Sequence, residues 1–393
     1  MSNHPTALPS VAYIGCWFGR DMYAHNCSAM VDSLRACGVR TTVVTSNCRC
    51  FSSASRFDIS VDELINGNCV PVKLPHAPHN PGKKHGLLKY VVVRTLRLDI
   101  WLAALRGVFY YRKSCSAEII HYDQVLEAFG AIPLFVLAML VGIRRKRLFV
   151  TVHEIDPFQQ AHRWVNRMYT RCEKVIVFSE NMKHTVKTLG VESGRIVVIR
   201  YGAVIPALSD RDRSQYIYFG GHNILAGKGY LSMLEALRIL KSRGLMIHLI
   251  AYVGYGCNGL EEAQAEAHRL GVADMIQWNE FFTSSALADA YQSCKACIIP
   301  FTSGSARHPL TTAMANATSV IATRNIDIPE YLGSSGIYID GSAESIADSI
   351  EDVEAERLNL VEIGDALRKK ATEELNVQHV AKDMREVFIA GHP

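Results

Sequence analysis

The sequence has little of what marks membrane-spanning, zinc-binding or nucleic-acid-binding proteins. Its longest apolar run, residues 131–143, is 13 residues long and too short to cross a bilayer. Its eleven cysteines are scattered without paired zinc-ligand spacing, so we expect free thiols in a reducing compartment. A net charge of +4 gives no general attraction for nucleic acid. The first ten residues lack a basic stretch followed by an apolar run, which predicts no signal peptide and a cytoplasmic location.

What the sequence has is a regular alternation of strand-like and helix-like segments. Such alternation is typical of parallel sheets covered by helices. The predicted strands are Ser10–Gly15, Val39–Ser46, Glu118–Tyr122, Arg147–Val152, Lys174–Ser179, Tyr216–Gly220, Met246–Val253, Met275–Trp278, Ala296–Phe301, Ser319–Thr323 and Ile337–Asp340. The predicted helices are Cys27–Gly38, Tyr230–Ser242, Leu260–Leu270, Ser285–Ser293, Pro309–Ala315 and Ala343–Glu356.

A chain of 393 residues, 49% of them apolar, suits two domains. The polar, proline-containing stretch 202–214 has no periodicity and marks the boundary between them. We predict an α/β fold of two doubly wound, Rossmann-like domains that face a central cleft. The predicted ranges are 1–208, 209–374 and a C-terminal helix, 375–393, that packs back on the first domain. Ligands in such sheets bind beyond the carboxyl ends of strands.

Two candidate segments follow strands of the first half. The segment IGCWFGRDMYAHN, residues 14–26, holds Gly15 and Gly19, which permit close backbone approach, with Trp17 between them. It is a binding loop or an ordinary strand–helix turn. In VTVHEIDPF, residues 150–158, His153 stands at a strand end with Glu154 and Asp156 after it. We favour a site role for His153, although a single histidine is more often structural.

Two further segments follow strands of the second half. FGGHNILAGKG, residues 219–229, contains Gly221, and its Lys228 supplies a cation for a diphosphate at a helix start. The alternative is a surface lysine. PFTSGSARHPLTT, residues 300–312, reads as a strand end, a small-residue loop and a helix that opens on Pro309. That is the build of a phosphate-binding turn, yet it contains no Asp or Glu.

The order of these motifs resembles the retaining group 1 glycosyltransferases of the GT-B fold, which use nucleotide sugars. VIVFSENMKHTVKTLGVESGRIVVIRYG (175–202), the lysine-containing loop at 219–229, EFFTSSALADAYQSC (280–294), the loop and helix at 300–322, and DIPE (327–330) each resemble a family segment. The resemblance covers residues 118–390 well and the first hundred residues in outline. It implies a metal-independent transferase without a cofactor. Its first domain binds the acceptor, which places Gly15, Trp17, Gly19, Glu154 and Asp156 on the acceptor side.

The chain departs from the family at three positions. Gly304 and Thr312 stand where the family has the two glutamates of its sugar-donor loop, and His222 stands where it has a phosphate-binding arginine. By resemblance, the sugar-donor site comprises Gly221, His222, Lys228, Ser305, Arg307, His308, Thr312 and Glu330. Losing the second glutamate should cost about 2–3 kcal/mol of affinity for the sugar donor.

Arg307 and His308 are the residues that can offset these losses. Arg307 stands two positions before the predicted helix start at Pro309. Its guanidinium can therefore reach a diphosphate bound at that helix start. The alternative is that both are exposed rim residues. With His153 and Lys228, Arg307 completes the predicted catalytic set.

The stretch 83–113 is strongly basic. It holds eight Lys or Arg and one Asp, so its net charge is +7 and the rest of the chain is −3. Basic residues interleaved with aromatics fit peripheral contact with an anionic membrane on the cytoplasmic face. The alternative is a core helix with a solvated basic face.

Three functions remain open from the sequence. The leading prediction is a hexosyltransferase-type enzyme that moves a sugar from a nucleotide sugar to a glycan or lipid-linked acceptor, in the synthesis of cell-surface polysaccharide or glycoconjugate. The second is a catalytically weak homologue that acts as a binding or partner subunit. The third is an enzyme for an unusual sugar donor.

Overall fold

The computed structural model describes residues 9–15, 21–46, 69–72, 117–123, 147–153, 169–210, 213–224, 227–279, 284–325 and 327–390. The chain divides into two compact units. Unit 1 comprises residues 1–199 and 381–393, and unit 2 comprises residues 200–380. The domain boundaries placed after residues 208 and 374 remain predictions.

Unit 1 is built on a parallel sheet of seven described strands. Their order is β3-β2-β1-β4-β5-β6-β7, the doubly wound arrangement. The strands up to β3 are added on one side of β1 and the strands from β4 onward on the other side, and we call the boundary between β1 and β4 the reversal point. Pro71 lies in β3, an edge strand, where its missing N–H costs no ladder bond. The strands are β1 Ser10–Gly15, β2 Arg40–Ser46, β3 Cys69–Val72, β4 Ile119–Asp123, β5 Arg147–Thr151, β6 Lys174–Val177 and β7 Ile196–Val198.

The described helices of unit 1 bury one apolar face each. In α1 (Asp21–Ala36) the buried Cys27, Val31 and Leu34 recur at helical spacing. Helix α2 (Glu180–Thr188) begins after Ser179, whose hydroxyl accepts a hydrogen bond from the Met182 N–H at 3.1 Å.

Unit 2 repeats the same architecture with six described strands. Their order, β10-β9-β8-β11-β12-β13, again reverses between the first and fourth strands in sequence, β8 and β11. The strands are β8 Gln215–Asn223, β9 Leu249–Asn258, β10 Ile276–Asn279, β11 Cys294–Ile299, β12 Ser319–Thr323 and β13 Ile337–Ile339. The helices are α3 Tyr230–Ser242, α4 Leu260–Arg269, α5 Ser284–Gln292, α6 Arg307–Ala315, α7 Ile328–Leu332, α8 Ala343–Glu354 and α9 Leu360–Lys370.

The C-terminal helix α10, Val377–Ile389, belongs to unit 1 from Ala381 onward. Its Phe388 packs edge-on against Phe149 of β5, with ring centroids 5.5 Å apart. Arg147 donates hydrogen bonds to the carbonyls of Phe388 and Ala390 and pairs with Glu173. These bonds satisfy carbonyls that the last turn of a helix leaves without partners.

The one C-x-x-C spacing of the chain, Cys294 to Cys297, lies in the buried strand β11. Both thiols are free, and both are buried in the core. Burial raises the pKa of Cys297 to about 12. Both cysteines act as small core residues.

The predicted α/β fold with two Rossmann-like sheets is confirmed. Strands Ser10–Gly15 and Ser319–Thr323 and helix Tyr230–Ser242 have the predicted bounds. The two edge strands of unit 1, β3 and β7, were not predicted from the sequence. They are three or four residues long, too short to show a period-2 pattern.

Candidate functional site

In unit 2, two loops meet at the reversal point of the sheet. The lysine loop, Gly227–Gly229, follows β8, and the small-residue loop, 300–306, follows β11. The N–H groups of Thr302 and Ser303 both donate to the Gly227 carbonyl, at 2.8 and 3.3 Å. This shared acceptor fixes one loop on the other.

The contact depends on two glycines with left-handed backbone. Gly227 has φ +64°, and a Cβ there would lie 1.9 Å from Ser303 Oγ. Gly229 has φ +71°, and its Cβ would lie 2.2 Å from the Pro300 carbonyl oxygen. Any side chain at either position would push the loops apart.

Lys228 is held between these glycines and extends along the small-residue loop. Its Nζ donates to the Ser305 carbonyl at 3.3 Å and lies 4.1 Å from the centre of the Phe301 ring. A cation over an aromatic face is attracted by the ring quadrupole. A Cβ at Gly304 would stand 3.3 Å from Nζ, so the ammonium lies directly beside this position of the loop.

Helix α6 begins directly after this loop. It starts at Arg307, two residues before the predicted start at Pro309. Pro309 therefore occupies the third helical position. Because proline has no N–H, the first turn has one N–H group fewer without a partner in the helix. The Arg307 N–H donates to Ser305 Oγ at 3.4 Å. The positive end of the helix dipole thus lies beside the Lys228 contact with Ser305.

Arg307 and His308 are buried, so the alternative that they form an exposed rim is wrong. Arg307 is 3% exposed and His308 is 5% exposed. The Arg307 guanidinium makes an ion pair of 2.5 Å with Asp327, a fully buried carboxylate on the loop before α7. His308 packs edge-on to Tyr201, with ring centroids 6.4 Å apart. The charge of Arg307 is therefore balanced inside unit 2.

Thr312 and Glu330 also have partners within unit 2. The Thr312 hydroxyl donates to the His308 carbonyl at 2.8 Å, which leaves its oxygen as an acceptor for a ligand. The Glu330 carboxylate accepts a hydrogen bond from Arg200 at 2.9 Å. Both side chains are partly exposed.

In unit 1, His153 lies just beyond β5 and bonds to the last residue of β4. Its Nε2 is 2.6 Å from Asp123 Oδ1. Its ring meets Phe178 edge-on, with centroids 4.7 Å apart. Because β4 and β5 are neighbouring parallel strands, their carboxyl ends bring the two residues together.

Asp123 is the centre of a histidine–aspartate cluster formed by Tyr13, Cys27, His121, Asp123 and His153. The Cys27 thiol donates to Asp123 Oδ2 at 3.6 Å, and Tyr13 adds a further side-chain hydrogen bond. Burial alone would raise the pKa of Asp123. The charge and hydrogen bond of His153, with smaller contributions from His121 and Tyr13, outweigh it and lower that pKa to about 2. Asp123 is therefore ionised at neutral pH.

His121 lies on the same strand and is fully buried. Its Nε2 lies 2.8 Å from Thr151 Oγ1, and its ring packs edge-on to Tyr13 and Phe388. Burial lowers the pKa of His121 to about 4, against a raising effect of Asp123 and with a smaller lowering effect of His153. The ring is neutral at pH 7.

Asp123 was not among the residues predicted from the sequence, although ligands in such sheets bind beyond the carboxyl ends of strands. The predicted strand ended at Tyr122, one residue early. Asp123 is the residue at the carboxyl end of β4, and it lies in register with Gly15 at the end of β1. This is the reversal point of the unit 1 sheet.

The other predicted residues are described only in part. Gly221 and His222 lie in the backbone of β8. Trp17, Gly19, Glu154, Asp156 and the basic stretch 83–113 lie outside the described residues. No described helix is long and apolar enough to cross a membrane. Within the described ranges, no group of three or more His, Cys, Asp and Glu is placed to hold a metal ion.

Two family models match the chain, one in each half. Residues 213–356 match the model described as Glycosyl transferases group 1, and residues 27–203 match Glycosyltransferase Family 4. The chain belongs to the group 1 glycosyltransferases. Lys228 lies within the first matched range and His153 within the second. No curated protein matches the sequence.

Solved glycosyltransferase structures share the fold along nearly the whole chain. Sucrose-phosphate synthase from Thermosynechococcus elongatus is 15% identical, with a TM-score of 0.73 over 97% of this chain and 98% of that one. HepE of Anabaena, solved with UDP and glucose, is 14% identical, with a TM-score of 0.70 over 96% and 99%. A glycosyltransferase from Rickettsia africae is 14% identical, with a TM-score of 0.69 over 97% and 98%. At these identities the likeness establishes the GT-B fold.

Proposed function

We propose that this group 1 glycosyltransferase moves a hexose from a nucleoside diphosphate sugar to a glycan or lipid-linked acceptor, with retention and without a metal. Its product belongs to cell-surface polysaccharide or glycoconjugate synthesis. The observation that carries the proposal is the position of Lys228. Its ammonium is fixed against Ser305 and Phe301 at the start of α6, at the reversal point of a doubly wound sheet.

This arrangement suits a leaving diphosphate. Breaking the bond from the sugar to the diphosphate leaves negative charge on the phosphate oxygens, and a fixed ammonium beside a helix N-terminus stabilises that charge. The ammonium is oriented before the ligand arrives, because the glycines hold its backbone and Ser305 holds its tip. UDP and glucose are present in the HepE structure of the same fold.

Arg307 has a different role from the one predicted in the sequence analysis. Because Asp327 balances its charge, we assign the neutralisation of the diphosphate to Lys228 and give Arg307 the role of fixing the helix start. His222, Ser305, His308, Thr312 and Glu330 remain proposed contacts of the nucleotide sugar.

Unit 1 is proposed to supply the acceptor side. His153 offers a polar ring at the strand ends and would contact the transferred sugar or the acceptor. Gly15, Trp17, Gly19, Glu154 and Asp156 are the proposed acceptor-side residues. The stretch 83–113 is proposed to contact anionic lipid, which flotation with anionic and with neutral liposomes tests.

A second function has its own supporting observation. The small-residue loop carries Gly304 and helix α6 carries Thr312 at the two positions where the resemblance implies glutamates that contact the sugar donor. A homologue with weak affinity for sugar donors could serve as a binding subunit.

Calorimetric titration with a panel of nucleotides and nucleotide sugars, followed by a turnover assay, separates the two functions. The transferase predicts that one nucleotide sugar binds tightly and is slowly hydrolysed without acceptor. The absence of binding to every member of the panel would support the partner subunit. Arg307→Ala adds a second readout, since an effect on stability without an effect on nucleotide affinity agrees with a role in the helix start.

A further inference from the structure

Arg324 follows β12 directly and lies at the carboxyl edge of the unit 2 sheet. Among the arginines of unit 2 that the structure describes, it is the one whose guanidinium has neither an ion pair nor a hydrogen-bond acceptor. Each of the others bonds to a carboxylate or to a backbone carbonyl: Arg200, Arg213, Arg238, Arg243, Arg269, Arg307, Arg357 and Arg368. The positive charge of Arg324 and its five N–H donors are therefore available to a ligand.

The guanidinium of Arg324 is held in place although it has no acceptor. Its central carbon lies 3.8 Å from the centre of the Tyr338 ring in β13, a stacked cation–π contact. Tyr338 is itself fixed, because its hydroxyl donates to the Gly333 carbonyl at 2.7 Å. Arg324 remains exposed, so an oriented cation faces solvent at this edge of the sheet.

The backbone on both sides of Arg324 is fastened to the small-residue loop. Thr323 Oγ1 and Asn325 Nδ2 both donate to the Phe301 carbonyl, at 2.6 and 2.8 Å. The ring of Phe301 is the one that lies under the Lys228 ammonium. Lys228 follows β8, the small-residue loop follows β11 and Arg324 follows β12, so in strand order the loop lies between the two cations. Strands β8 and β12 are two strand spacings apart, about 10 Å.

The segment between the two cations carries no acidic side chain. Residues 300–315 include neither Asp nor Glu. Gly304 is exposed, and apart from its chain neighbours only the Lys228 Nζ, among the described atoms, comes within 4 Å of the position that a Cβ there would take. The carboxylates that follow β12, Asp327 and Glu330, are each paired with an arginine. An anion can therefore approach this loop without meeting an uncompensated negative charge.

We propose that the sugar of the nucleotide sugar carries a carboxylate, as a hexuronic acid does, and that Arg324 binds this carboxylate. A guanidinium matches a planar carboxylate with two parallel hydrogen bonds. The diphosphate of the same ligand is assigned to Lys228, so the ligand supplies one anionic group for each cation. The acceptor is assigned to unit 1, which leaves the sugar as the source of the second anion in unit 2. This inference rests on the proposed transferase function and names the class of its sugar.

Calorimetric titration of the full-length chain with matched pairs of nucleotide sugars tests the proposal. Titrations with UDP, GDP, ADP and dTDP first identify the base. Glucose, galactose and mannose, each linked to that nucleotide, are then compared with their uronates, as UDP-glucose with UDP-glucuronate. In one pair the uronate should bind about tenfold or more tightly than the neutral sugar, the size of one charge-assisted hydrogen bond.

The outcomes of this titration separate the inference from the proposed function. If a nucleoside diphosphate binds and no uronate binds more tightly than its neutral counterpart, the acidic sugar is refuted and the transferase stands. If no nucleotide and no nucleotide sugar binds, both the transferase and the acidic sugar are contradicted.

Arg324→Gln tests the residue that is proposed to bind the carboxylate. It should weaken binding of the favoured uronate by about tenfold to a hundredfold and leave binding of the neutral sugar unchanged. Arg238→Gln is the matched control, because Arg238 is an exposed arginine of α3 that pairs with Glu235, and it should change neither affinity. An unchanged affinity for the uronate in Arg324→Gln, or an equal loss for both sugars, would overturn the assignment.

Gly304→Glu and Gly304→Gln test the place of the sugar carboxylate. Both variants strain the backbone at φ +78° in the same way, so the readout is the ratio of the affinities for uronate and neutral sugar. The added carboxylate should lower this ratio about tenfold in Gly304→Glu relative to Gly304→Gln, because like charges repel. The same ratio in both variants would show that the sugar carries no carboxylate near this loop.

Discussion

The two units share a strand order but use a buried carboxylate in opposite ways near the carboxyl ends of their strands. In unit 1, Asp123 accepts hydrogen bonds from a histidine and a thiol and keeps its negative charge. In unit 2, Asp327 forms an ion pair with Arg307, which balances both charges, and the partly exposed cation Lys228 lies beside the helix start. Unit 1 thus keeps a buried anion at its strand ends, and unit 2 keeps a cation beside a helix start. The same fold positions both charged groups, and the local sequence decides whether the charge is negative or positive.

The largest expected effect comes from breaking the ion pair of unit 2. Asp327→Asn should lower the free energy of unfolding by about 3–5 kcal/mol, because Arg307 loses its counter-charge in a buried place. Urea denaturation measures it.

The control is Asp348→Asn at the exposed pair of Arg243 and Asp348, which should cost less than about 1 kcal/mol. The double replacement Arg307→Met with Asp327→Leu should recover much of the loss. Equal costs for Asp327→Asn and Asp348→Asn would contradict a structural role for the buried pair.

Acid should destabilise unit 1 through His121. Its pKa is about 4 in the folded chain and 6.5 in the unfolded chain, so the unfolded state binds more protons between these values. The contribution of His121 to the free energy of unfolding is fully present above pH 6.5. It is lost as the pH falls from 6.5 to 4, and the loss is on the order of 3 kcal/mol. Asp123, with a folded pKa of about 2 against 3.8, extends the loss from pH 3.8 to 2.

Hydrogen exchange at several pH values locates this effect. Strands β4 and β5 should lose protection before the strands of unit 2. His121→Phe removes the titrating ring and should flatten the dependence between pH 6.5 and 4. The same slope in both proteins would show that another group is responsible.

The contact between the two loops of unit 2 gives the next effect. Gly229→Ala introduces a Cβ against the Pro300 carbonyl, while Gly244→Ala has nothing within 4 Å, at a similar φ of +78°. Both variants should lose about 1 kcal/mol of unfolding free energy because alanine is strained at a positive φ. Gly229→Ala should lose about 1–3 kcal/mol more because its Cβ clashes with the Pro300 carbonyl.

Thermal denaturation and titration with the nucleotide sugar measure both variants. Only Gly229→Ala should also weaken binding, since it moves Lys228. Equal behaviour of the two variants would mean that the close approach of the loops has no consequence.

The smallest effect is expected at Thr312. Thr312→Val should weaken binding of the nucleotide sugar by at most about tenfold, because its hydroxyl already bonds to its own helix. Thr372→Val, whose hydroxyl bonds to the Arg368 carbonyl in the same way, controls for helix stability. A hundredfold loss in Thr312→Val, measured by calorimetry, would show that the hydroxyl has replaced a carboxylate.

Local pattern was enough to predict the fold. Ser319–Thr323 is a buried strand bounded by turn residues, and Tyr230–Ser242 has an apolar face at helical spacing. The start of α6 was placed at Pro309 because proline favours the first turn, but that preference covers more than one position. Arg307 therefore came out as a loop residue.

The candidate site could be predicted only where a residue acts from its own loop. Lys228 was found because its glycines flank it in the sequence. The pairs Arg307–Asp327 and His153–Asp123 join residues 20 and 30 positions apart, and each pair forms only once neighbouring strands are aligned. Arg307 was predicted as a catalytic residue from its charge, and the local sequence gives no sign that Asp327 balances that charge.

Lys228 is the residue on which the account depends most. Lys228→Met should keep the fold and lower kcat/KM for sugar transfer by about 10²–10³-fold, the cost of removing one group that stabilises transition-state charge. Lys241→Met is the matched control, because Lys241 lies in the last turn of α3 and bonds to the Gly271 carbonyl and Asp274. It should transfer sugar at the unaltered rate. Equal kcat/KM values for Lys228→Met and the unaltered chain would contradict the central claim.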